Sequence, residues 1–152
     1  MSITIRRAIG ADAAVLTAVA HDAKRHWNYP EAWIRSWRDQ LTVTPAYIEE
    51  QRVFLVEIEG VIGGFYALRG RGPVVELDHL WVAPARVGQG LGRRLVDHAC
   101  RTAGVRRIEI DSDPHAEAFY AHLGARRIGK TPAPVEGEPE RYLPRMVLEP
   151  AD

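Results

Sequence analysis

The chain has 152 residues, of which 46% are hydrophobic and 26% charged, with 20 Lys and Arg against 20 Asp and Glu. That length suits one core burying roughly 68–70% of the unfolded surface, so a single domain over residues 1–152 is expected, and zero net charge supplies no basic field for nucleic acid or an anionic membrane. No apolar run nears the ~18 residues of a membrane span, and the single cysteine, Cys100, rules out an internal disulfide and a multi-cysteine metal site.

In chain order, Ile3 and Ile5 beside Arg6 and Arg7 begin a strand, and Asp12 opens an alanine-rich helix to about Arg25. Pro30 and Glu31 open a second helix to about Leu41, and Thr44 with Pro45, a cap and a first-turn proline, opens a short third one. His26, Trp27 and Tyr29 fall in the loop before Pro30, where exposed aromatics are hard to explain as core. They are candidates for the wall of a ligand cleft, and aromatic walls suit a cation or an apolar amine. Trp33 and Trp37, four residues apart, read instead as a stripe packed on a sheet.

Residues 52–59, a turn at Gly60 and residues 61–69 read as a β-hairpin. A fourth strand covers 74–82, in which Glu76 and Asp78 share one face by period-two alternation and His79 takes the other. Two acids buried on one face favour a raised pKa in one of them, as general-base work requires.

The next stretch is the most informative. A strand runs into Pro84, then Gly88, Gly90 and Gly92 alternate, and an amphipathic helix continues to about Gly104. Glycine lets a backbone approach a ligand closely. The first turn of a helix leaves amide N–H groups unpaired at the positive end of its dipole. Together they make a cradle for a pyrophosphate. A P-loop would need Gly-Lys-Ser/Thr, whereas Arg93 and Arg94 follow Gly92. A dinucleotide fingerprint would need a third glycine where Arg93 or Leu95 stands. Glu109 and Asp111, ending a strand over 106–111, stand roughly where a ribose-binding acid would, which keeps that alternative open.

Farther on, Ala116, Phe119, Tyr120 and Leu123 recur on one face of a helix. Asp113 is its cap, Pro114 its first residue and Gly124 its stop. A strand over 125–130, a Pro/Gly/Glu loop and a last strand over 141–148 complete the chain. His115 and Glu117 match part of a zinc deaminase signature, but the paired cysteines that complete it are missing.

Val87-Gly88-Gln89-Gly90-Leu91-Gly92 resembles the acetyl-CoA signature of the GNAT superfamily of N-acetyltransferases, Gln/Arg-x-x-Gly-x-Gly/Ala. Val87 departs from it, and Arg86 and Arg93 lie close enough to compensate. Residues 113–125, from Asp113 through Phe119-Tyr120 to Gly124, resemble the family's Asn-x-x-Ala-x-x-Phe-Tyr-x-x-x-Gly-Phe. The order of elements is also the family's, so the resemblance covers nearly the whole chain.

The resemblance implies an α/β fold: a central, mixed and mostly antiparallel sheet flanked by helices. It implies acetyl-CoA as cosubstrate and no metal. The backbone at Leu80, Trp81 and Val82 would pair with the pantetheine arm, and Asp113 would meet it too. Val87, Gly88, Gln89, Gly90, Leu91, Gly92 and Arg93 would surround the diphosphate. The implied reaction is direct attack of a primary amine on the thioester, with Glu76 (or Asp78) as base. Leu80 N–H would face the oxyanion, and Tyr120 would protonate the thiolate. His26, Trp27 and Tyr29 would line the acceptor site for a small-molecule or peptide amine. No nucleic-acid or membrane partner is expected, a homodimer is compatible, and the absence of a signal-peptide pattern makes a cytoplasmic protein the expectation. Val87 and Asp113 also allow a non-catalytic acyl-CoA sensor of the same fold.

Overall fold

In the computed structural model, which describes residues 2–150, seven strands form one sheet. They are β1 (Ile3–Arg7), β2 (Arg52–Ile58), β3 (Val61–Arg69), β4 (Val74–Val82), β5 (Arg107–Asp111), β6 (Arg126–Pro132) and β7 (Tyr142–Leu148). Their spatial order is β1-β2-β3-β4-β5-β7-β6. Every neighbouring pair is antiparallel except β4 and β5. The helices are α1 (Ala13–Arg25), α2 (Glu31–Ser36), α3 (Arg38–Leu41), α4 (Pro45–Glu50), α5 (Leu91–Ala103) and α6 (Glu117–His122).

The central strands are apolar on both faces, so the sheet must be covered twice. Val53, Leu55, Phe65 and Ala67 join the core beneath α1–α4, while Val56, Ile58, Tyr66 and Leu68 join the core beneath α5 and α6. Each of the Val, Leu, Ile and Phe side chains among them, fully buried, contributes about 1.5–3 kcal/mol. The β2–β3 turn is held to two residues by Glu59 and Gly60, both at positive φ (51° and 80°), the pairing a tight hairpin requires. α5 buries Leu91, Leu95, Val96, Ala99 and Ala103 along one side.

The helix expected over 31–41 is two helices, broken at Trp37 (φ −95°, ψ 4°). The break seats Trp37 in the core beside Tyr29, with ring centroids 5.0 Å apart. Trp33 reaches the other way, donating from Nε1 to Glu136 O at 3.0 Å. Asp12 stands at the start of α1 as expected, as its N-cap residue, but it also ends a 3-10 turn and its side chain does not cap the helix. Its carboxylate accepts from Arg6 at 2.9 and 3.1 Å and from the Ile9 amide at 2.8 Å.

Two irregularities position the site. Pairing of β4 with β5 covers Val74–Glu76 against Arg107–Glu109 and stops there, while β4 continues to Val82. Beyond Glu76 the two strands part. In addition, Ala67 pairs with His79 and Leu68 with Leu77, so Asp78 is an extra residue in a β-bulge. Strict alternation therefore fails here. Asp78 accepts from the Tyr47 hydroxyl of α4, and the His79 ring lies 5.7 Å from that same tyrosine, so both approach one neighbour.

Candidate active site

Where β4 and β5 part, a cleft of about 1120 Å³ opens. One end is lined by Val87, Gly88, Gly90, Leu91 and Gly92. Gly88 and Gly90 have φ of +88° and +77°, and a Cβ on either would meet nothing within 4 Å. The open space is what a group approaching bare backbone needs. Gly90 also precedes α5 with no side chain capping it, so first-turn N–H groups are left for an anion. These features fit the diphosphate of coenzyme A. Gly92 works differently: its Cβ would lie 3.0 Å from Phe119 Cζ, so this glycine lets α5 pack closely on Phe119. Gln89 and Arg93 do not line the cleft, whereas Arg86 does.

β4 offers its backbone to the same cleft. Ala83 N–H donates to Gly63 O at 2.9 Å, which sets the alternation of an antiparallel ladder. Ala83 and Trp81 therefore bond toward β3, and Leu80 and Val82 turn their N–H and C=O to the side β5 has vacated. Trp81 contributes its indole instead of its backbone, donating from Nε1 to His79 Nδ1 at 3.0 Å. That bond uses the imidazole lone pair and leaves the proton on Nε2. Burial pushes the His79 pKa down. His79 is thus a neutral donor, unsuited to act as a base.

The two acids of β4 are placed differently. Arg145 grips Glu76 through both terminal nitrogens, one at 3.0 Å, and also holds Glu109 at 2.7 Å and Asp111 at 3.1 Å. Glu76 does not line the cleft and Asp78 does. Asp78 has the Tyr47 hydroxyl and, at 3.9 Å, Arg69. Burial, and then Asp78, raises the Tyr47 pKa, so the tyrosine keeps its proton and is the donor in this bond. Glu109 is further bound by Arg107 at 2.9 Å, and Asp111 accepts from Thr131 at 2.6 Å. Both acids of the dinucleotide alternative are thereby engaged within the protein. Tyr120 is 6% exposed and faces the cleft. Burial, then the charge of Asp113, raises its pKa above the ordinary 10.0, so it enters any reaction protonated.

Comparison with known proteins decides the family, because a model of the acetyltransferase (GNAT) family matches residues 16–125. The chain belongs to this family. A 5-NmdU N-acetyltransferase of Pseudomonas phage PaMx11 is 34% identical over 84 residues, 52% of this chain and 60% of that relative's length. PaiA N-acetyltransferase from Thermoplasma acidophilum, solved in complex with coenzyme A, superposes with a TM-score of 0.78 at 19% identity, covering 98% of this chain and 99% of that one. A GCN5-related N-acetyltransferase from Rhodopseudomonas palustris gives 0.77 at 23% identity, covering 98% and 96%. The fold and family expected from the sequence are those found.

The GNAT motif's Asn is Asp113 here, and the structure supplies a reason. Lys24, 8% exposed, places Nζ 2.6 Å from Asp113 Oδ2. The Tyr29 hydroxyl donates to both carboxylate oxygens at 3.0 and 3.1 Å, and the His115 amide donates at 2.9 Å. Burial alone would raise the Asp113 pKa, but Lys24 and these donors hold it below the ordinary 3.8. Tyr29 lies behind this carboxylate and does not line the cleft, whereas His26 and Trp27 do, with Trp27 stacked on His115 at 4.7 Å. The faces of Trp37, Tyr29 and Trp33, unlike that of Trp27, are already occupied by the protein's own cations. Lys24 lies 4.3 Å from the Trp37 ring, and Arg141 lies 5.0 Å from Trp37, 5.7 Å from Tyr29 and 5.8 Å from Trp33.

Sequence reasoning missed Lys24, Arg141 and Tyr47. A signal for Lys24 existed: Leu16, Ala20 and Lys24 recur every fourth residue, which places the lysine on the buried stripe of α1. Cys100 is half-buried in α5 and does not line the cleft, and burial raises its pKa. Among the described residues, no helix is long and apolar enough to cross a membrane, and no group of three His, Cys, Asp or Glu could hold a metal.

Proposed function

We propose that the chain is an acetyl-CoA-dependent N-acetyltransferase that acylates a primary amine by direct attack. One observation carries the reading: the glycine turn, the unpaired side of β4, Asp78 and Tyr120 all line a single cleft. Acetyl-CoA, when bound, supplies an acyl thioester as the electrophile. The α5 start and Gly88–Gly90 hold its diphosphate, and the free backbone of Val82 takes up its pantetheine amides as an added strand would.

Asp78 acts as base. A free amine is protonated at neutral pH, with a pKa of about 10, and Asp78 removes that proton directly or through water. The Leu80 N–H donates to the carbonyl oxygen as negative charge gathers there. Tyr120 gives its proton to the departing sulfur as the C–S bond breaks. The ion cluster around Arg145 makes Glu76 a support for the strand, which favours Asp78 over it. Cys100 has no part, since no covalent acyl-enzyme is required. The activity of the phage relative, N-acetyl transfer, agrees with this reading, as does the coenzyme bound to the PaiA structure.

The deciding experiment is a melting-temperature titration with acetyl-CoA, followed by free-thiol release over a panel of amines. Stabilisation with thiol release supports the enzyme. Stabilisation without release on any amine would establish the sensor, and no stabilisation would remove the cofactor site altogether.

A further inference from the structure

We propose that the acceptor carries an oxyanion, a carboxylate or a phosphate, in addition to its amine, and that Arg141 receives it. The inference rests on the acetyltransferase reading above and names the substrate class of the same cleft. Arg141 faces that cleft from the segment just before β7. Its Nη1 donates to Ala133 O at 3.2 Å, its Nη2 is buried with no partner of hydrogen-bond geometry, and the neutral Tyr29 hydroxyl beside the guanidinium brings no compensating charge. Among the described residues, no carboxylate lies within ion-pair distance of it. The charged neighbour it does feel is Lys24, another cation, whose own carboxylate is Asp113. Two cations and one carboxylate leave a positive charge uncompensated where α1, α2 and the segment before β7 meet.

The same cleft presents Asp78 from β4. It therefore has a carboxylate where an amine must lose its proton and a guanidinium short of an anion elsewhere in its wall. A zwitterion satisfies both. A polyamine does not, because Lys24 and Arg141 repel it and both already lie against the ring of Trp37, which lines the cleft. The Tyr29, Trp33 and Trp37 rings and the Ala133 carbonyl also fix the guanidinium plane, which suits two oxygens of one group. Carboxylate and phosphate share that chemistry. Arg86, also facing the cleft, lies at the glycine end and serves the cofactor.

The test compares matched acceptors in the thiol-release assay: amino acids against their carboxamides, phosphoethanolamine against ethanolamine, and spermidine as the polycation. The oxyanion-bearing member of one pair should be preferred about tenfold or more in kcat/KM, and which pair shows it distinguishes carboxylate from phosphate. Arg141→Gln should collapse that preference, and Arg141→Lys, which keeps charge but loses the fork, should restore part of it. Equal use of the neutral partners or of spermidine, or a preference untouched by Arg141→Gln, would overturn the proposal. Should no amine be acetylated while acetyl-CoA still raises the melting temperature, the acetyltransferase reading itself fails. The charge preference is then read by calorimetry of the same pairs on the CoA complex. Oxyanion binding that Arg141→Gln abolishes supports the inference, and absence of binding sinks it.

Discussion

Tyr120 and Asp78 line the same cleft, the phenol kept protonated by burial and the carboxylate accepting a hydrogen bond from the Tyr47 hydroxyl. Tyr120→Phe should lower kcat by about tenfold or more while calorimetry shows acetyl-CoA affinity retained. A silent change would assign Tyr120 to packing. Asp78→Asn should cost about 10²–10⁴ in kcat/KM. Glu76→Gln should instead lower the melting temperature and leave thiol release near the parent level, because Arg145 keeps Glu109 and Asp111. The reverse pattern would make Glu76 the base. Sequence could not separate these acids. Period-two counting assumes an unbroken ladder, and neither the bulge at Asp78 nor the reach of Arg145, 69 residues along the chain, is written in local pattern.

At the scale of elements, the cleft depends on how closely β3, β4 and the start of α5 can approach one another. A Cβ on Gly64 would lie 2.7 Å from Trp81 O, so Gly64→Ala should force β3 from β4 at a cost of about 1–3 kcal/mol, measured by urea unfolding. Gly90→Ala is the opposite case. Its methyl meets no protein atom, so the expected loss is about 1–2 kcal/mol from the left-handed backbone. The larger effect should be on acetyl-CoA, whose binding by calorimetry should weaken at least about tenfold (about 1.4 kcal/mol). Unchanged affinity would mean that the diphosphate sits elsewhere. The strands and α5 were legible because each carries its period over a full element and ends on turn residues such as Glu59-Gly60 and Gly104. The 31–41 segment was not, since Trp37 breaks it to reach Tyr29, Lys24 and the remote Arg141, contacts that helical periodicity does not encode.

For the whole molecule, the Lys24–Asp113 pair spans 89 positions and joins α1 to the turn before α6, so it ties together the layers on either side of the cleft. Restoring the family's residue with Asp113→Asn should therefore destabilise, by about 3–5 kcal/mol, because it strands a buried lysine charge. Lys24→Met with Asp113→Asn should recover much of that loss in urea unfolding. The pair also sets an acid limit. Asp113 has a folded pKa below its ordinary 3.8, so its contribution is full above that value and is lost as pH falls through the lower folded one. Urea midpoints should decline over that acid range, less steeply in the double variant. The bulge in β4 has a consequence of another kind. The ladder is regular on both sides of Asp78, so a chain lacking only that residue would retain its register, its glycine turn and its free edge. Under the proposed mechanism the base is therefore an inserted residue, and deleting it should remove acyl transfer while leaving the cofactor cradle in place.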